Sequence, residues 1–464
     1  MAHTNRLNFT DYAFWCFALS VALLPIGLGG NRPIPMGLAQ AGLAASCLLL
    51  LSSPGVWSQV HFFPRIRWAL GLFGVVLLWA FFQTMPFVPG SWVHPLWHEA
   101  ATVLGTSIHG AIAVTPEDSL QGITGLMTYI AAGLLGYILG QDAGRAQSLI
   151  KTLWLSGTVI CAYGLLVYIT GMDKILWFDK WAYQGDLTAT FVNRNHFALY
   201  AGMVLVCGAS LFFRSWQQKV QRQKPHKRIA LLREWLVKEG FFQVFLLFMV
   251  FLCIIFSHSR AGLLLAVFGV GAYFFFYQIY LKAWKRMVIM GLVALGLLIV
   301  ASVIAMQLSE RFSVLFNDSS SLDRLKVYKM VWRALLDNPW LGYGLNGFEA
   351  EYRLYQHNML MGFKRAHSDV LESLLDLGVP FGLLLWVAIG LLLSVLGHGV
   401  MRRRQNGIFS VLALTTSCMV LLHACVDFSL QIPGVAMVWA ALLGTGLAQS
   451  WTQSDRQTIA NTKG

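Results

Sequence analysis

Twelve stretches of about 18 to 22 mainly apolar residues, joined by polar links, constrain this chain more than any other feature of its sequence. In hydrocarbon each backbone N–H and C=O must be paired within its own segment, so each stretch is expected as an α-helix. The runs fall near residues 12–30, 34–52, 67–86, 121–139, 148–170, 194–213, 241–257, 261–281, 287–307, 375–397, 408–427 and 431–449. Hydrophobic residues make up 57% of the 464 and charged residues 12%, a balance that belongs to membrane chains. The expected fold class is all-α, a polytopic membrane protein with about 12 transmembrane helices. The first run follows Arg6 and ends in LGGNRPIP, without a small-x-small cleavage site, so it is expected to stay as an anchor. The seven cysteines all lie in apolar runs and are expected as small buried hydrophobes, not disulfides.

Basic residues set the orientation. The link RSWQQKVQRQKPHKRIALLREWLVK holds eight Lys or Arg between Arg214 and Lys238, whereas the link from Phe87 to Gly122 holds none. Both termini are therefore expected in the cytoplasm, with one large outer loop, about Ser309 to His367, between spans nine and ten. The net charge of +13 is concentrated in the inner links, where it orients the spans and meets anionic membrane lipids. No aromatic-interleaved basic pattern accompanies it, so no nucleic acid is expected as a partner.

Two outer helix starts carry arginine. Span six opens FVNRNHFALY, with Asn193 as cap and Arg194, Asn195 and His196 in the first turn; span eight opens SHSRAGLLL, with Ser257 or Ser259 as cap and Arg260 next. A helix N-terminus already presents unpaired N–H groups and partial positive charge, so an added guanidinium works against the dipole unless an anion binds there. Two forked guanidiniums suit a diphosphate. The alternative is that each arginine snorkels to the headgroups.

In the outer loop, Leu325, Tyr328, Val331 or Trp332, and Leu335 recur at helical spacing, predicting a short amphipathic helix ending near Asp337, followed by a glycine-rich turn, PWLGYGLNGF. His367 then precedes Ser368 or Asp369, either of which suits a cap for span ten. Gly378, eleven residues on, is expected on the same helix face. An imidazole at this mouth can take a proton from a hydroxyl, with Asp369 or Glu372 near enough to orient it; the bland alternative is a solvated histidine beside a cap. His423 and Asp427, four apart near the outer end of span eleven, suit either a site or a structural pair. His94, His98 and Glu99 imitate a metal-binding helix, but Pro95 is expected to disturb it, so no metal is assigned.

The stretches FVNRNHFA (191–198), SRAG (259–262), DNPWLGYGLNGF (337–348), AHSD with Gly378, and DFSLQIP (427–433) follow one another in an order that resembles the O-antigen ligase and polymerase family of bacterial inner-membrane proteins. The resemblance covers roughly residues 185–445, taken as one domain including a periplasmic loop at 308–372. Before it stand five helices in residues 1–184 with a periplasmic loop at 87–120, and after it a cytoplasmic tail at 446–464. It implies a glycosyltransferase that moves a glycan from an undecaprenyl-diphosphate carrier to an acceptor hydroxyl on the periplasmic face, with inversion, without metal or other cofactor. The acceptor would be lipid A-core or a growing glycan. Arg194 and Arg260 match the family's diphosphate-holding arginines and His367 its catalytic histidine. Ser368 stands where asparagine is common, and Tyr328 where tryptophan is common. A repeat-unit polymerase and a protein O-oligosaccharyltransferase share this pattern; a transporter of the same lipid-linked glycan is the rival from another class.

Overall fold

The computed structural model describes residues 8–53, 65–221, 224–283, 320–355, 363–402 and 406–451, with scattered positions between 285 and 300. Helices are α1 (Phe9–Leu23), α2 (Pro33–Leu51), α3 (Arg67–Gln83), α4 (Pro95–Leu104), α5 (Pro116–Leu139), α6 (Ala143–Ile169), α7 (Arg194–Trp216), α8 (Pro225–Trp235), α9 (Phe241–Phe256), α10 (Arg260–Tyr280), α11 (Ser320–Asp337), α12 (Phe348–Tyr355), α13 (Asp369–Arg402), α14 (Ile408–Ala424) and α15 (Pro433–Ala448). Among the described residues the strands are β1 (Lys174–Ile175) and β2 (Phe178–Asp179), one short antiparallel pair.

The all-α membrane architecture holds. Among the described residues eight helical segments are long and apolar enough to cross a bilayer, and α3, α14 and α15 are shorter apolar helices at three further expected positions. The span expected at 287–307 lies largely outside the described residues. Apolar side chains such as Leu78, Ile169 and Phe241 stand on the outside, as they do on helices facing hydrocarbon.

Helix α7 runs through the middle. Its side chains from His196 to Ser210 are buried all round, the signature of a helix enclosed by others rather than one with a lipid face. Helices α5 and α15 pack backbone to backbone, since a Cβ on Gly136 would stand 2.8 Å from the Ala441 carbonyl. Gln449 seals their far end, donating to the carbonyls of Gly140 (2.7 Å) and Gln141 (3.0 Å).

Helix α13 breaks at Gly378, whose φ of 76° and ψ of 157° no helix contains, with Pro380 two residues later. Backbone groups released there find partners in the outer loop and at the end of α3. The Asp376 carbonyl accepts from Tyr343 N (3.1 Å), Gly344 N (2.9 Å) and Gln83 Nε2 (3.0 Å), and Val379 N donates to Pro339 O (2.8 Å). The turn PWLGYG is thus the plug of a broken helix, with Gly342 and Gly344 at positive φ. Because α13 starts at Asp369 and breaks at Gly378, His367 and Gly378 do not share a helix face; that expectation is corrected.

Two local expectations also change. Helix α4 forms despite Pro95, because proline at a first helical position loses no intrahelical bond and His94 caps it by accepting from Leu96 N (3.3 Å). The amphipathic helix α11 ends at Asp337 as expected, but it buries Val327, Val331, Ala334 and Leu335 and leaves Leu325 and Trp332 exposed.

Candidate functional site

The starts of α7 and α10 lie side by side. Asn193 caps α7 by accepting from Asn195 N (2.8 Å), and Ser259, rather than Ser257, caps α10 by accepting from Gly262 N (3.1 Å). The Ser259 hydroxyl donates to Asn195 Oδ1 at 2.8 Å, tying one helix start to the other and putting Arg194 and Arg260 in adjacent first turns.

The other amide group of Asn195 reaches across to the link between α14 and α15, where Nδ2 donates to Asp427 Oδ2 at 2.8 Å. Asp427 is the hub. His367 Nδ1 donates to its Oδ1 at 3.3 Å, Phe428 N donates to the same oxygen at 2.9 Å, and His196 Nε2 stands 3.6 Å away. Burial by itself would lift the Asp427 carboxyl, but the His196 and His367 imidazoles beside it, with the charges of His196 and His423, more than offset it and hold the group well below the usual carboxylate range. Phe428 presses on both imidazoles, with ring centroids 4.5 Å from His196 and 5.0 Å from His367.

His367 sits just outside α13 in the left-handed region, φ 52°, a strained conformation for a non-glycine residue that aims its ring at Asp427 instead of along the helix. Tyr328 on α11 holds it there, donating its hydroxyl to the His367 carbonyl at 2.8 Å. The cap of α13 is Ser368, which accepts from Leu371 N at 3.3 Å.

The orienting carboxylate is thus Asp427. Asp369 accepts instead from Leu430 N (3.0 Å), and Glu372 is taken by Arg365 (3.0 Å) and Ala366 N (2.9 Å). His423 and Asp427 stay joined through the backbone, Asp427 N donating to the His423 carbonyl at 2.9 Å, but their side chains take different partners. Helix α14 ends at Ala424, so Asp427 lies beyond it, while buried His423 bonds the Ser429 hydroxyl at 2.8 Å and belongs to the wall.

Three neighbours of Arg194 were not singled out in the sequence. Asp186 binds Arg194 Nη1 at 2.9 Å with one oxygen and His258 Nδ1 at 2.7 Å with the other, and Tyr183 lies under the guanidinium at 5.5 Å. His258 also takes a left-handed backbone, φ 53°. Burial first, then the Asp427 charge, raises the Tyr183 phenol above its ordinary value. The signal available beforehand was slight: Asp186, eight residues ahead of Arg194, is one of three aspartates in a link too polar to be part of a span. Among the described residues no group of three or more His, Cys, Asp or Glu is arranged to hold a metal.

Residues 245–387 match the family model described as O-antigen ligase. The chain thus carries an O-antigen ligase domain over those residues. No curated protein matches it. The O-antigen ligase domain brings Arg260, His258 and His367. Asp186, the Asn193–His196 turn and Asp427 lie outside the match and join it by folding, across sequence separations as large as the 232 residues between Asn195 and Asp427.

Proposed function

We propose that this chain, with its O-antigen ligase domain, is a membrane glycosyltransferase that moves a glycan from an undecaprenyl-diphosphate carrier to an acceptor hydroxyl on the periplasmic face of the bacterial inner membrane, both chain termini being cytoplasmic. The observation that carries the reading is the buried Asp427 carboxylate, which links the histidine to the helix start bearing Arg194.

With Nδ1–H donated to Asp427, His367 presents Nε2 as the base, and its 15% exposed side chain leaves it reachable. Nε2 takes the acceptor's proton while that oxygen forms its bond to the anomeric carbon from the face opposite the leaving group. The anomeric C–O bond breaks with its electron pair passing to the carrier diphosphate, so the anomeric configuration inverts. Asp427 stabilises the resulting imidazolium. Arg194 and Arg260, at N-termini that themselves favour anions, stabilise the charge growing on the diphosphate, a task assigned to no metal. Asp186 keeps Arg194 and His258 aligned between turnovers.

His367→Ala, Arg194→Ala and Arg260→Ala, compared with a deletion strain by their lipid-linked glycan profile, test this. Each is expected to strand glycan on the carrier as the deletion does. Long stranded chains assign a ligase, single repeat units a polymerase. Full restoration by His367→Ala would refute the transfer role and favour transport.

A further inference from the structure

The arginine side of the site holds a second histidine–carboxylate pair. His258 lies in the turn between α9 and α10, just before the Ser259 cap and Arg260. Its Nδ1 meets Asp186 Oδ1 at 2.7 Å, while Asp186 Oδ2 takes Arg194 Nη1 at 2.9 Å. The pair repeats the arrangement of His367 on Asp427, but with a guanidinium on the same carboxylate.

The turn is built to hold this ring in place. His258 N donates to Ile255 O at 3.0 Å, and the Ser257 hydroxyl donates to Ile254 O at 2.6 Å and accepts from Ser259 N at 3.3 Å. Leu187 N donates to Phe256 O at 3.0 Å, which fastens the segment bearing Asp186 to the turn. At a φ of 53° glycine or asparagine would be the unstrained residue. A histidine is held there at a cost in backbone strain, and it bonds Asp186 with 16% of its side chain still exposed.

The bond to Asp186 decides what the other ring nitrogen can do. A carboxylate that takes a guanidinium is ionised and only accepts, so Nδ1 donates in that bond. Nε2 then carries a lone pair in the neutral ring and an N–H in the imidazolium. Diphosphate oxygens only accept hydrogen bonds. The lone pair repels them, and the charged N–H draws them in.

We propose that His258 is a third ligand of the donor diphosphate and meets it only as the imidazolium, so that each donor bound brings a proton into the site. This rests on the reading that Arg194 and Arg260 hold that diphosphate. The charges around the ring do not supply the same switch. Arg194 on α7, Arg260 on α10 and Arg324 on α11, whose charge reaches Tyr183, cannot lose their protons. Tyr168 at the end of α6 and Tyr183 under Arg194 are neutral phenols. Lys180, whose ammonium lies on the Asp186 carbonyl and is pulled down by burial, would act with the same sign, so the test turns on a variant at His258 alone.

The test is binding of glucosyl farnesyl diphosphate to the full-length protein in phosphatidylcholine nanodiscs, with empty nanodiscs subtracted. Both phosphates of this probe are esterified, so each keeps a single charge across neutral pH. Calorimetry at about pH 7.5 in two buffers of different protonation enthalpy should show proton uptake by the wild type. Kd should rise by up to about tenfold per pH unit as pH climbs through the histidine range. His258→Asn suits the left-handed backbone, offers an amide N–H to Asp186 and does not titrate. It should take up no proton, and its Kd should change less than about twofold between about pH 6 and pH 8. No uptake by the wild type, or wild-type uptake by His258→Asn, overturns the proposal. Binding that is flat in pH but lost in Arg194→Ala and Arg260→Ala removes His258 and leaves the donor reading standing. Binding indifferent to both arginine variants refutes the donor reading itself.

Discussion

Asp427→Asn is the sharpest probe of the site, because it keeps volume and backbone bonds and removes a charge. In the wild type one oxygen accepts from Asn195 and the other from His367 and Phe428. An asparagine has one carbonyl oxygen and an NH₂, so at least one of these donors must face another donor. The carboxylate side chain is 2% exposed, and water cannot make up the loss. Losing a hydrogen bond to a charged group here should cost about 1.5–3 kcal/mol of stability. If the amide NH₂ turns to His367, the imidazole must switch its proton to Nε2, which removes the base; a wrong tautomer of this kind lowers turnover by up to about 10⁴. The expected result is a protein that inserts and folds but transfers glycan from a purified lipid-linked donor ~10²–10⁴ times more slowly. The pH dependence has a definite sign. The folded Asp427 carboxyl lies below its unfolded value near 3.9, so its stabilisation is fully present above that pH and fades only as pH falls from there through the folded value. Transfer within threefold of wild type, from a protein in which His367→Ala is inactive, would refute the reasoning.

Asp186→Ala removes the partner of both Arg194 and His258 and should raise the KM for lipid-linked donor about tenfold while kcat stays within about threefold, a split read from steady-state kinetics. Tyr328→Phe deletes the bond to the His367 carbonyl and should lower stability by about 0.5–1.5 kcal/mol and transfer less than tenfold, so loss of all transfer would mean the phenol does more than hold the loop. Gly378→Ala puts a Cβ 2.5 Å from the Trp340 carbonyl at a φ of 76°, and should cost ~2 kcal/mol or more, seen as a lower yield of folded protein and a lower unfolding temperature.

What the sequence makes legible follows from the range of the forces involved. The spans are written locally, as runs of apolar residues, and so are the caps: Asn193 and Ser259 each bond an N–H two or three residues away. A helix start is a statement about neighbours in the chain. Asp427 is different. Its neighbours Val426 and Phe428 suggest the end of a span, while the side chains that give it a role come from Asn195 and His367, 232 and 60 residues away. Proximity in sequence pointed to Asp369 and Glu372 as partners of His367, but a left-handed His367 turns its ring away from α13 and hands those two carboxylates to Leu430 N, Ala366 N and Arg365.

The same contrast explains why Gly378 misled. Counting eleven residues from His367 assumes an unbroken helix, and a glycine two before a proline is a place where that assumption fails. A break inside a span is tolerated when other backbone groups take up the freed ones. Here the glycine-rich turn does so: Tyr343 and Gly344 donate to the Asp376 carbonyl, and Asn346 N donates to the Asp376 carboxylate at 2.8 Å. The turn's glycines are then needed twice. They supply positive φ, and they let Gly342 lie against the backbone at Gly378. The outer loop is thereby anchored to α13 at its break. That anchorage fixes where the Tyr343–Asn346 segment lies, and with it one side of the mouth of a cavity of about 880 Å³ between α2, α3, α5, α13 and α15, because Leu345 and Asn346 both line it. A substitution that loosens the turn should therefore disturb the mouth before it disturbs the Asp427 hub, which is held by α7, the start of α13 and the α14–α15 link.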